Sequence, residues 1–254
     1  MIALSITRRG IDQGDREPYD TPDCTEFAKL ASPLLEGKAL SLTYQDGQNV
    51  VYAVRDLNLT VDSRQFIGIL GPSGSGKSSL LYVLSGIKAP TSGEVLFQGT
   101  PLDVHGGNSH EVRRQHFGFV FQQFFLLNYL DVLGNVLVGG LVKNGAARER
   151  AKELTAALGL EGLEHRKPYE LSQGQRQRVA IARALANEPA VVFVDEPTAN
   201  LDRSTGLQVM GLLKEQTARG AIVVVSHDET ALAEADVVYR MRDGEISPLD
   251  RRER

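Results

Sequence analysis

One cysteine and no tryptophan occur among the 254 residues. A single thiol, Cys24, excludes an intrachain disulfide and suits a reducing compartment. Long apolar runs are missing too: nothing approaches the ~20 residues that span a bilayer. Met1–Arg9 contains no extended apolar segment of the secretory kind. The chain is therefore expected to be soluble by itself, with any membrane contact made through a partner. An excess of one charge is also absent. The net charge is −4 and the pI 5.8, so no global basic field draws the chain onto nucleic acid. The rest, 42% hydrophobic and 24% charged, is the composition of one large α/β domain, with or without a small subdomain.

The most specific feature present is Gly71-Pro72-Ser73-Gly74-Ser75-Gly76-Lys77-Ser78, a complete G-x-x-x-x-G-K-S phosphate-binding loop. Gln65–Leu70 before it reads as a buried strand, and Ser79–Ser85 after it reads as a helix. Strand, glycine loop and helix form the context the motif requires. The glycines let the backbone turn its N–H groups inward, toward the phosphates of a nucleotide at the helix N-terminus. Lys77 would reach the β- and γ-phosphates, and the Ser78 hydroxyl would ligate Mg²⁺.

Along the chain, residues 1–34 are rich in Asp, Glu, Arg and Pro and lack periodicity; they read as a mobile N-terminal extension. Residues 35–247 read as one folded domain, with order beginning near Gly37, and 248–254 as a solvated tail. Ala39–Tyr44 alternates as a strand, Asp46-Gly47 turns, and Asn49–Val61 returns as a kinked partner. Glu94–Phe97 and Phe117–Phe121 read as strands, and 147–158 as a helix with apolar positions 147, 151, 154 and 158 on one face. Ser172 and Gln175 form a capping-box pattern at the start of a helix running to about Asn187. Ala190–Val194 and Ala221–Val225 are wholly apolar, as in central parallel strands covered on both faces, with a helix between them from Arg203 to about Arg219. The expected fold is thus an α/β P-loop nucleotidase. Its central sheet is mostly parallel, beside an antiparallel β subdomain and an inserted helical subdomain at about 122–178.

Asp195-Glu196 follows the first of those strands directly, at the carboxyl end where ligands sit in open parallel sheets. Asp195, continuing the strand, would hold Mg²⁺ directly or through water. Glu196, one step on, would orient and deprotonate an attacking water. His227 ends the neighbouring strand in the same way and would contact the γ-phosphate. His105, His110, His116 and His165 show no metal-ligand spacing. Leu171-Ser172-Gln173-Gly174-Gln175 reads either as a structural helix cap or as a helix start able to receive a phosphate.

From about residue 35 to 247 the sequence resembles the ATP-binding cassette (ABC) family. Leu171–Gln175 matches its L-S-G-G-Q signature, and the phosphate loop, Asp195-Glu196, Asn200-Leu201-Asp202 and His227 follow in family order. The resemblance implies ATP and Mg²⁺ as ligands. Tyr44 would stack on adenine, the loop from Gly71 to Ser79 would hold phosphate, and Gln122 would sense Mg²⁺ and the attacking water. It further implies a head-to-tail pair of cassettes, a homodimer. In that pair Ser172, Gly174 and Gln175 of one chain cover the ATP on the other's Lys77. Gln173 departs from the signature glycine. The stretch Phe117–Gln122, with Leu126-Leu127 and Val132–Val136, is similar to the lipoprotein-release, macrolide-export and cell-division subgroup. The implied function is the ATPase subunit of an exporter or extractor at the cytoplasmic face of the inner membrane, working with polytopic membrane subunits. The alternatives are a membrane signalling complex of the cell-division type or a cassette acting on nucleic acid or ribosomes. Phe124, Phe125 and Leu126 read either as a docking patch for the membrane subunit or as buried side chains of the helical subdomain.

Overall fold

The computed structural model describes residues 33–47, 49–141 and 144–249, all within the unit Pro33–Arg254. The extension expected at the N-terminus and the tail at the C-terminus lie almost wholly outside these residues. The first strand begins at Leu35, two residues before Gly37. Strand β1 (Leu35–Asp46) pairs antiparallel with β2 (Asn49–Val61), and the Asp46↔Asn49 pair closes the expected hairpin around Gly47. The kink is present as register shifts between Gly37 and Thr43. Strands β4 (Ser92–Phe97) and β5 (Thr100–Pro101) complete a four-stranded sheet in the order β2-β1-β4-β5.

The second sheet has six strands. It comprises β3 (Phe66–Leu70), β6 (Phe117–Val120), β7 (Val191–Asp195), β8 (Ala221–Ser226), β9 (Val237–Arg242) and β10 (Glu245–Pro248), in the order β10-β9-β3-β8-β7-β6. All pairings are parallel except β10 with β9. Every residue of β7 and β8 is buried, because alternate side chains point to opposite faces and both faces are covered. Val192, Val194, Ile222 and Val224 enter one core with Val136, Leu154, Ile181 and Leu213 from the helices. Val191, Phe193, Val223 and Val225 enter a second core with Leu40, Leu42 and Val54 of the antiparallel sheet.

Six α-helices accompany the sheets among the described residues: α1 (Lys77–Leu84), α2 (Asn108–His116), α3 (Val132–Val138), α4 (Gly145–Ala157), α5 (Gln173–Leu185) and α6 (Arg203–Gln216). α3, α4 and α5 pack on one another, and α5 also contacts β6. α5 begins with the predicted capping box: Gln175 N donates to Ser172 Oγ (3.2 Å) and Ser172 N to Gln175 Oε1 (2.8 Å). No helix among the described residues is long and apolar enough to cross a membrane.

Candidate active site

The phosphate loop links β3 to α1. Gly74 and Gly76 have φ of 80° and 105°, the left-handed region where a side chain is strained. At Gly76 a Cβ would also lie 1.9 Å from the Ala53 carbonyl of the antiparallel sheet, so the loop is seated directly against β2. α1 starts at Lys77 with no side-chain cap, which leaves its first N–H groups facing the loop. Lys77 is buried, and its ammonium donates to the carbonyls of Gly71 (2.8 Å) and Pro72 (2.9 Å).

β7 and β8 deliver the remaining groups. Asp195 ends β7 and is 3% exposed. Burial pushes its carboxyl above the usual carboxylate range and the nearby Glu196 charge adds to this, while the Ser78 hydroxyl and Lys77 oppose it. Glu196 is not a simple continuation of the strand. Its φ is 50° and its N–H donates to the Val225 carbonyl (3.0 Å), so the chain turns over the end of β8. The carboxylate lies 2.9 Å from His227 Nδ1 through Oε2 and 3.9 Å from Lys77 Nζ through Oε1. His227 is thus held on the glutamate in this structure.

An open cavity of about 610 Å³ lies above the loop. It gathers Pro72, Ser73, Gly74, Gly76, Lys77, Ser78 and Ser79 with Gln122, Asp195, Glu196 and His227. Gly71 and Ser75 stand behind the loop: a Cβ at Gly71 would meet the Met241 carbonyl at 2.4 Å, and Ser75 is buried. Tyr44 is outside the lining; its hydroxyl is 3.4 Å from Ser79 Oγ and Lys88 Nζ stands 3.9 Å from its ring centroid. Tyr52, the other tyrosine of the same hairpin and the alternative the sequence offers for the adenine contact, forms the wall instead, with Val51 and Ala53. Ser172, Gly174 and Gln175 do not join the cavity either. Gln175 is committed to its own helix cap, and a Cβ at Gly174 would lie 3.1 Å from Leu201.

The donor set suits magnesium. Ser78 and Asp195 supply hard oxygens beside the loop, and no cluster of three or more His, Cys, Asp or Glu among the described residues forms a protein-only cage. Mg²⁺ takes few protein ligands and completes its shell with phosphate and water.

A glycine loop on a helix N-terminus, a buried lysine and a carboxylate pair at the end of β7, separated from β3 by β8 alone, define a P-loop nucleoside triphosphatase. Residues 54–199 match the ABC transporter family, and the chain belongs to it. The uncharacterized ABC transporter ATP-binding protein MJ1508 of Methanocaldococcus jannaschii is 39% identical over 84% of this chain and 97% of its own length. The macrolide export ATP-binding/permease protein MacB of Hahella chejuensis is 39% identical over 85% of this chain. Only 34% of that relative is spanned, so the chain corresponds to about a third of it. Among solved structures, the dimeric post-hydrolysis state of the ATP-binding cassette MJ0796 with ADP and Pi has a TM-score of 0.80 at 37% identity. That match covers 87% of this chain and 99% of the other. The cbiO1 protein of Clostridium perfringens, part of the transporter complex cbiONQ, has a TM-score of 0.73 at 32% identity, covering 85% and 87%. The chain is therefore an ATP-binding and ATP-hydrolysing subunit of the ABC transporter type.

Proposed function

We propose that two copies of this chain close head to tail on two Mg·ATP and reopen on hydrolysis. The motion powers export or extraction through partner membrane subunits at the cytoplasmic face of the inner membrane. The observation that carries the reading is the Glu196 carboxylate, gripped by His227 and facing Lys77 at the mouth of the phosphate loop. On binding ATP, Lys77 would leave the carbonyls of Gly71 and Pro72 for the β- and γ-phosphate oxygens. Ser78 and Asp195, with Gln122 at the cavity edge, would hold Mg²⁺, which supplies charge neutralisation at the phosphates. Glu196 takes a proton from water as its oxygen attacks the γ-phosphorus in line. The bond to the β–γ bridging oxygen breaks, and ADP and phosphate result. His227 and Gln122 keep base and water in place. Ser172, Gly174 and Gln175 would seal the partner's nucleotide, in keeping with their position away from the chain's own cavity.

Tyr44, outside the lining but 3.4 Å from the Ser79 hydroxyl that lines the cavity, is proposed to stack on adenine. The exposed Phe125 (61%) and Tyr129 (74%), beyond Gln122, support a docking surface for a membrane subunit, while Phe124 and Leu126 are half-buried. The direct test is Glu196→Gln. It should keep ATP affinity, accumulate an ATP-bound dimer on gel filtration, and lose turnover by about 10²–10⁴-fold. Hydrolysis by that variant at the unmodified rate would remove Glu196 as the base.

A further inference from the structure

The Glu196 carboxylate is held asymmetrically. Oε2 receives the Ser226 hydroxyl (3.1 Å) and the His227 main-chain N–H (3.4 Å), besides the His227 ring. Oε1 accepts no hydrogen bond among the described residues and faces Lys77. Of the donors on Oε2, Ser226 is the buried one: it is 0% exposed, whereas the His227 ring is largely in solvent. Its hydroxyl also accepts from the Asp228 N–H (3.0 Å), and its carbonyl accepts from the N–H of Gly71 (3.2 Å). One residue at the end of β8 therefore touches the glutamate, the first residue of the phosphate loop and the turn that carries His227. A carboxylate is acceptor-only when ionised, so the hydroxyl proton points to Glu196. A hydrogen bond to a charged group in a dry site is the stronger kind.

We infer that Ser226 is a positioning residue for hydrolysis. Its hydroxyl pins Oε2, so that Oε1 is the oxygen presented to the attacking water. This rests on Glu196 being the base. Removing the hydroxyl takes away the buried side-chain donor to Oε2 and loosens the carboxylate, leaving it to the solvent-exposed His227 ring and a long main-chain contact, while the phosphate loop stays intact, since the loop contact uses the Ser226 main chain. The effect should fall on the chemical step and not on binding.

The test is steady-state ATP hydrolysis by Ser226→Ala and Ser226→Thr beside Glu196→Gln, with full-length protein. Ser226→Ala should lower kcat by about ten- to a hundredfold while KM for ATP stays within about twofold. Ser226→Thr, which restores the hydroxyl, should recover most of the rate. Introduced into Glu196→Gln, Ser226→Ala should leave the ATP-trapped dimer in place, which separates positioning from a folding defect. Turnover by Ser226→Ala within twofold of the parent, loss of ATP binding, or failure of threonine to rescue would overturn the inference. If Glu196→Gln itself still hydrolyses ATP, the base assignment fails first, and the two failures are told apart.

Discussion

Glu196 adopts a left-handed backbone conformation at a cost on the order of 1–2 kcal/mol for a residue with a side chain. The turn places its carboxylate across β8 and not along β7, where simple strand alternation would leave it. Asp195, one residue earlier, bears a second cost. Its carboxyl is raised by burial, so the folded chain holds that proton to higher pH than the unfolded chain does. Between the two pKa values the native state binds more protons, so stability falls as pH rises through that window. Above that window the buried charge is a net liability in the nucleotide-free protein. Asp195→Asn should therefore raise the melting temperature there while ATP turnover is lost. The gain should shrink as pH falls toward about 4, where the native carboxyl is protonated. Thermal melts across that range check it, and a variant less stable at neutral pH would contradict the burial argument.

At the scale of elements, β7 and β8 are legible because the runs Ala190–Val194 and Ala221–Val225, five apolar residues each, leave no polar face. α5 is legible from its capping box. α2 is not: NSHEVRRQH buries only Ser109, so no apolar stripe marks it. The β9–β10 hairpin carries its own turn signal, Asp243-Gly244, the same dipeptide as Asp46-Gly47 at the β1–β2 turn. α3 is seven residues long, too short for periodicity to register, and tertiary contacts hold it. Asp131 caps it through the Gly134 N–H (2.7 Å). The buried Asn135 accepts from Leu127 N (2.7 Å) and donates to the carbonyls of Leu127, Leu130 and Asp131. That one amide ties down the segment bearing Tyr129. Asn135→Ala would strand the Leu127 N–H, costing about 1–3 kcal/mol. Urea denaturation should show the loss, and the tied segment should become more open to proteolysis.

For the whole molecule, the chain separates the two halves of the proposed site. Lys77, Asp195 and Glu196 share one cavity, while Ser172 and Gly174 stand outside it. A head-to-tail pair would unite them across two chains, so inactive variants should complement each other. Lys77→Ala lacks a working phosphate loop and Ser172→Arg lacks a working seal. Mixed in equal amounts, they can form a dimer in which one chain's Lys77 meets the other's Ser172. ATPase activity above that of either variant alone is expected, and a mixture as inactive as its components would count against composite sites.

The sequence by itself determined the phosphate loop, the parallel strands and the order of the proposed catalytic groups. Those depend on local spacing: glycines where φ must be positive, apolar runs where both sheet faces are covered, a cap where a helix begins. Only the tertiary structure decided which oxygen of Glu196 is pinned, that Tyr52 and not Tyr44 walls the cavity, and that Ser226 reaches both Glu196 and the loop. These depend on side chains brought together from separate strands, whose separation along the chain carries no information about their distance in space.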